Sequence, residues 1–212
     1  GIGLMLFCLR GLRPSDRFNV ILFNERAEPL FDGLQKAEYS RVDQALNVAD
    51  SIMALGGTNI DSALESAFSM KYDPDRPAYV IFLTDCLPTV GATDVATILR
   101  NASSRAPKNI RLFVFGVGFD VNTRLLDKLA AENRGAAEYV RPEEDIEVKV
   151  SALYRMISAP ALTDIRLDFG LMNATDMLPA TLPDIFLGSH ILVAGRFTGI
   201  PGPVRLTGMA AG

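Results

Sequence analysis

Apolar residues along the chain follow two alternating rhythms. Ala78–Leu83 (AYVIFL) and Ile110–Val117 (IRLFVFGV) are nearly continuous in apolar side chains. Such runs suit strands buried on both faces, as in a parallel sheet covered by helices. Shorter β-rich runs lie at Phe18–Phe23 (FNVILF) and Glu138–Val140. Between them the period changes to that of a helix. Val42, Ala45, Leu46, Ala49, Ile52 and Met53 share one face, as do Ile60, Ala63, Leu64, Ala67 and Phe68. Val95, Ile98, Leu99 and Ala102 repeat the spacing, as do Leu125, Leu126, Leu129 and Ala130. A last helix is expected from about Glu143 to Ile157, with Ile146, Val150, Leu153, Tyr154 and Ile157 inward. Strand and helix in alternation predict an α/β doubly wound fold, with a mostly parallel sheet flanked by helices and right-handed crossovers.

The pattern changes near Ser158-Ala159-Pro160, which divides the chain into residues 1–158 and a β-rich segment 159–212. The latter holds candidate strands at Asp164–Phe169, Ile191–Phe197 and Val204–Thr207, separated by Pro and Gly. It reads as a small C-terminal β appendage, too short to build its own core from three strands.

Composition narrows the function classes. The 212 residues carry 21 Lys+Arg against 25 Asp+Glu, a net charge of −4, which removes the electrostatic footprint of a general nucleic-acid binder. Hydrophobic residues make up 49%, so a core is available and global disorder is excluded. A single histidine, His190, rules out a multi-histidine metal site. Two cysteines, Cys8 and Cys86, have no motif spacing and make no disulfide scaffold. The apolar stretch Leu4–Leu9 is far short of the ~20 residues of a membrane span, and no basic region precedes it as in a signal peptide. Because the chain opens on Gly-Ile-Gly, the expectation is a piece of a longer protein.

Two loops hold the candidate chemistry. Gly56-Gly57-Thr58-Asn59-Ile60-Asp61 joins two helices; its glycines permit an unusual backbone, and Thr58 or Asn59 is placed to cap the next helix. Leu83-Thr84-Asp85-Cys86-Leu87-Pro88-Thr89 follows a buried strand directly, where open α/β sheets place ligands. A hydroxyl and a carboxylate are hard oxygen ligands suited to Mg²⁺.

With DRFNVILF (Asp16–Phe23), GGTNIDSAL (Gly56–Leu64), VIFLTDCLPT (Val80–Thr89) and LFVFGVG (Leu112–Gly118), the chain resembles a von Willebrand factor type A domain over roughly residues 1–158. The tail, SAPALTDIRLDF and then DIFLGSHILVAGRFTG, resembles the segment that follows this domain in inter-alpha-trypsin inhibitor heavy chains and their bacterial relatives. The resemblance implies a metal-ion-dependent adhesion site. Thr58 and Asp85 would each supply a ligand to Mg²⁺, or to Mn²⁺ or Ca²⁺ in its place. A protein partner's Asp or Glu would complete the shell. It also implies an extracytoplasmic protein. The sequence departs from the family pattern in carrying Cys86 after Asp85, where Gly is common, and in lacking the Asp-x-Ser-x-Ser loop and the first, central strand that bears it. Three resolutions follow: a piece of a longer chain, a homodimer or strand exchange that fills the vacant position, or Ile2–Leu9 acting as that strand.

The remaining residues have plainer readings. Asp61 is a first-turn acid favoured by the helix dipole. Thr84 and Thr89 are loop hydrogen-bonders, His190 is structural or exposed, and Cys8 belongs to the core. Cys86 has no basic neighbour in sequence and is not read as a nucleophile. Glu143-Glu144-Asp145 is a helix start. The chain has no P-loop, no Gly-x-Ser-x-Gly elbow and no second convergent acid, so an enzyme is not expected. The leading expectation is a non-enzymatic protein-binding or adhesion module. The alternative is a structural interaction module whose metal site is degenerate or incomplete.

Overall fold

The computed structural model describes residues 2–51, 56–74, 76–141, 143–144, 148–149, 151–152, 160–179, 182–186 and 190–210. The chain divides into two compact units, Gly1–Ser151 and Ala152–Gly212. The change of character expected at 158/159 falls outside the described residues.

The first unit opens with helix α1 (Ile2–Arg10), so the apolar stretch Ile2–Leu9 is helical and does not act as a strand. Its Leu4 and Leu9 are buried, as the helical spacing of an apolar face requires. Four short strands follow in two antiparallel ribbons. β1 (Arg17–Phe18) pairs with β4 (Gln35–Lys36), and β2 (Ile21–Phe23) pairs with β3 (Ala27–Pro29). The run Phe18–Phe23, expected as one strand, is therefore broken in two. Asn19 breaks it: its side chain accepts from Val20 N (2.8 Å) and Phe31 N (3.1 Å) and donates to the carbonyls of Phe31 (2.9 Å) and Gly33 (3.0 Å). Asn competes for backbone partners in this way wherever its short amide reaches them.

Helix α2 (Tyr39–Asp50) buries Ala45 and Ala49, and helix α3 (Ile60–Phe68) buries five apolar side chains. Ile52 and Met53 lie outside the described residues. Then strand β5 (Ala78–Thr84), helix α4 (Val95–Arg105), strand β6 (Ile110–Val117), helix α5 (Thr123–Glu132) and strand β7 (Ala137–Val140) alternate as expected. β5, β6 and β7 form a parallel sheet in that order, with Ala78 opposite Ile110 and Val114 opposite Ala137. Helices α3, α4 and α5 each start on an Asn or Asp, namely Asn59, Asp94 and Asn122, whose side chain accepts the amide three residues on. The architecture is α/β with parallel strands and covering helices.

The main core packs Leu64, Phe68, Ile98, Leu125 and Leu129 from the helices onto Phe82, Leu112 and Val114 of the sheet. A second cluster joins Leu9, Phe18, Val20, Phe31, Ala37 and Ala45, with Phe18 edge-on to Phe31 at 5.7 Å. Of the helix expected over 143–157, residues 148, 149, 151 and 152 are helical; Ile146, Val150, Leu153, Tyr154 and Ile157 lie outside the described residues.

The second unit holds five described strands rather than three. They are β8 (Pro160–Asp168), β9 (Met172–Leu178), β10 (Ile185–Phe186), β11 (Ala194–Gly199) and β12 (Arg205–Ala210). All pairings are antiparallel, in the orders β10–β8–β12 and β11–β9. β9 (MNATDML) was not anticipated, because its polar residues do not alternate strictly with apolar ones.

Candidate functional site

The site forms at the carboxyl end of β5. Thr84, buried at 7% exposure, turns the chain there: its Oγ1 donates to the Cys86 carbonyl (3.2 Å) and accepts from the Cys86 amide (3.4 Å). Asp85 and Cys86 consequently emerge exposed.

The Gly-Gly loop is stitched to this turn. The Thr58 amide donates to Thr89 Oγ1 (2.8 Å), and the Thr58 carbonyl accepts from the amides of Thr89 (2.9 Å) and Val90 (3.2 Å). The two glycines have different duties. Gly56 sits at φ +96°, where a side chain is strained. Gly57 lets the loops touch: a Cβ there would meet Val90 Cγ2 at 2.4 Å. The end of β2 joins them. Asn24 O accepts from the Asn59 amide (2.7 Å), and Asn59 Nδ2 donates to Glu25 O (3.1 Å). Of the two residues placed to cap α3, Asn59 is the cap, which leaves the Thr58 side chain for other work.

The Asp85 and Thr58 side chains both act on the Cys86 thiol. The neighbouring Asp85 carboxylate and burial push the thiol up, the Thr58 hydroxyl opposes them, and the Asp120 carboxylate adds a further push. The thiol is therefore held protonated, the opposite of what a nucleophilic cysteine needs.

Asp120 was missed by the sequence reading. It is exposed and follows Gly118, which comes directly after β6, so it occupies the strand-end address on the neighbouring strand. That address was the available signal. Thr89 acts as the expected loop hydrogen-bonder. Asp61 does more than face the helix dipole: it accepts from Asn101 Nδ2 (3.1 Å) and pairs with Arg105 (3.4 Å), tying α3 to α4. His190 is exposed. Cys8 is half-buried, and burial pushes its thiol up to about 11. Glu144 accepts from the Arg141 amide (2.8 Å) and pairs with Lys149 (3.0 Å).

The donor set fits a hard divalent cation only in part. Thr58 and Asp85 supply a hydroxyl and a carboxylate oxygen from two loops that are hydrogen-bonded to each other. Among the described residues, no group of three or more His, Cys, Asp or Glu has the arrangement to hold a metal ion.

A family model for the von Willebrand factor type A domain matches residues 2–139. The chain belongs to that family. Human inter-alpha-trypsin inhibitor heavy chain H2 is 32% identical over 197 residues, covering 89% of this chain and 21% of the relative. The mouse H2 chain is 31% identical over 207 residues, covering 94% and 22%. The A-type domain chain thus spans about a fifth of the length of these curated relatives. Among solved structures, a von Willebrand factor type A protein from Catenulispora acidiphila superposes with a TM-score of 0.73 at 18% identity, over 100% of this chain and 57% of the other. Proximal thread matrix protein 1 from the mussel byssus, solved with a zinc-occupied adhesion motif, superposes at 0.57 with 18% identity, over 72% and 38%. These neighbours establish the α/β A-domain fold.

Proposed function

We propose that this chain is a non-enzymatic binding module in which Thr58 and Asp85 hold a divalent cation for a protein partner. The carrying observation is that three hydrogen bonds of Thr58 with Thr89 and Val90 join the loop of Thr58 to the loop that presents Asp85 at the end of β5. The Thr58 hydroxyl and the Asp85 carboxylate would be the protein ligands to Mg²⁺, with Mn²⁺ or Ca²⁺ as substitutes. When bound, such a cation supplies an electrophilic position for an external Asp or Glu. The chain's own contribution is placement. Asn59 caps α3 and frees Thr58; Thr84 fixes the turn that presents Asp85; Gly57 permits the loops to close. The likeness to inter-alpha-trypsin inhibitor heavy chains supports an extracytoplasmic location, and no described helix is long and apolar enough to cross a membrane.

A second reading has its own observation. Among the described residues no group of three or more His, Cys, Asp or Glu could hold a metal ion, which favours an interaction module with an incomplete metal site. Thermal unfolding in EDTA, then with added Mg²⁺ or Mn²⁺, separates the two. A cation that binds only the folded chain at 100 Kd stabilises it by about 2.7 kcal/mol. The metal reading expects a saturable rise in Tm that Thr58→Ala and Asp85→Ala each abolish. A flat response in the unaltered chain rejects it.

A further inference from the structure

We infer that the two loop tips beside the candidate site, at Leu87 and at Phe119–Asp120, form a docking surface for a segment of another protein that carries a branched or aromatic apolar side chain next to a lysine or arginine. The inference rests on the reading of this chain as a protein-binding module and not on the cation.

Strands β5 and β6 run parallel, with Thr84 opposite Gly116. Leu87 lies three residues past Thr84, and Phe119 three residues past Gly116. Both tips therefore leave the sheet at the same end and at the same step. The Asp120 carboxylate acts on the Cys86 thiol, which sets the second tip beside the first. Leu87 is 48% exposed and Phe119 73%. Single apolar side chains scattered over a surface need no explanation. These two are matched in position on neighbouring strands.

Each tip is held on both sides. Before Phe119, the Gly118 amide donates to Val140 O (2.9 Å); after it, Val121 packs against the main core. Gly118, at φ +90°, turns the chain between these anchors and leaves the larger Phe119 outside. Before Leu87, Thr84 Oγ1 holds the amide and carbonyl of Cys86; after it, the Thr89 amide donates to Thr58 O (2.9 Å). Pro88 narrows the Leu87 backbone to the extended region. A surface ordered before contact loses little entropy on binding.

Charge selects the occupant. The loops at this end, 24–26, 56–59, 84–94 and 118–122, carry four acids, Glu25, Asp85, Asp94 and Asp120, and one base, Arg26, a net charge of −3. Neither Asp85 nor Asp120 has an ion pair among the described residues. An acidic segment is repelled here wherever no cation intervenes, and a second copy presenting the same end sets like charge against like. A lysine or arginine that reaches Asp120, with its apolar neighbour over Phe119 and Leu87, answers both the charge and the exposed carbon.

The test pans a phage-displayed library of random peptides against the whole chain, once in EDTA and once in Mg²⁺. In EDTA, sequences that place Phe, Tyr, Trp, Leu or Ile beside Lys or Arg are expected to rise in frequency over the input. The most enriched peptide is synthesised, labelled and titrated in EDTA by fluorescence anisotropy. Phe119→Ser and Leu87→Ser are each expected to weaken binding by about tenfold. Asp120→Asn is expected to weaken it most at low salt. All three positions are exposed, so an unchanged Tm separates lost contact from lost fold. The Mg²⁺ arm reports on the cation: Asp or Glu enriched only there supports the metal reading, and its absence counts against that reading alone. The docking surface is overturned if no such sequence is enriched, if the enriched peptides are acidic, or if they bind Phe119→Ser as well as the unaltered chain. A dimer in sedimentation that Phe119→Ser dissolves assigns the surface to a second copy and rejects the proposed occupant.

Discussion

Replacing Gly57 by alanine tests how the two site loops are held together. The φ of Gly57 is not in the left-handed region, so alanine is not strained by its backbone. The obstacle is space: the new Cβ would lie 2.4 Å from Val90 Cγ2 and 3.1 Å from Thr89 Oγ1. A relaxed carbon–carbon contact is about 3.5–4.0 Å, so Val90 must retreat by about 1 Å. The Val90 side chain is β-branched and stiff, and its backbone is tied to Thr58 O at 3.2 Å, so side chain and loop move together. Overpacking of this kind costs about 1–3 kcal/mol. Loss of glycine's unfolded-state entropy returns about 0.4–1 kcal/mol. The net expectation is a loss of about 1–2 kcal/mol. For a unit of this size that corresponds to a fall in Tm of roughly 2–8 °C. Thermal unfolding followed by circular dichroism reads it, and the double variant Gly57→Ala/Val90→Ala should recover much of the loss. An unchanged or raised Tm in Gly57→Ala would refute the packing argument. Failure of Val90→Ala to rescue would place the strain elsewhere in the loop.

Asn59→Ala removes the α3 cap and the tie to Glu25, and is expected to lower stability by about 1–2 kcal/mol in urea unfolding. Asp94 caps α4 by accepting from the Thr97 side chain and amide, which hold its carboxyl below the ordinary 3.8. Its stabilisation is therefore present above that value and is lost as pH falls through the lower folded value. Asp94→Ala should lower Tm at pH 7, with a difference that shrinks towards zero in strong acid when both chains are scanned against pH. Iodoacetamide should label exposed Cys86 ahead of Cys8, whose thiol is pushed up to about 11 by burial, and peptide mass mapping would show the order. Equal rates would contradict the burial of Cys8.

Much of the fold was readable because burial imposes a period. Ile98, Leu99 and Ala102 in α4, and Leu125, Leu126, Leu129 and Ala130 in α5, were assigned to core faces by spacing, and all are buried. The parallel pair β5–β6 was readable because both strands lack the polar alternation of a solvated face. Fold class, the address of Asp85 and the hydroxyl of Thr58 were thus present in the order of residues. The break at Asn19 was not, since it depends on Phe31 and Gly33 arriving from twelve and fourteen residues away. Nor was the proximity of Asp120 to Cys86, because two strand ends become neighbours only when β5 and β6 pair.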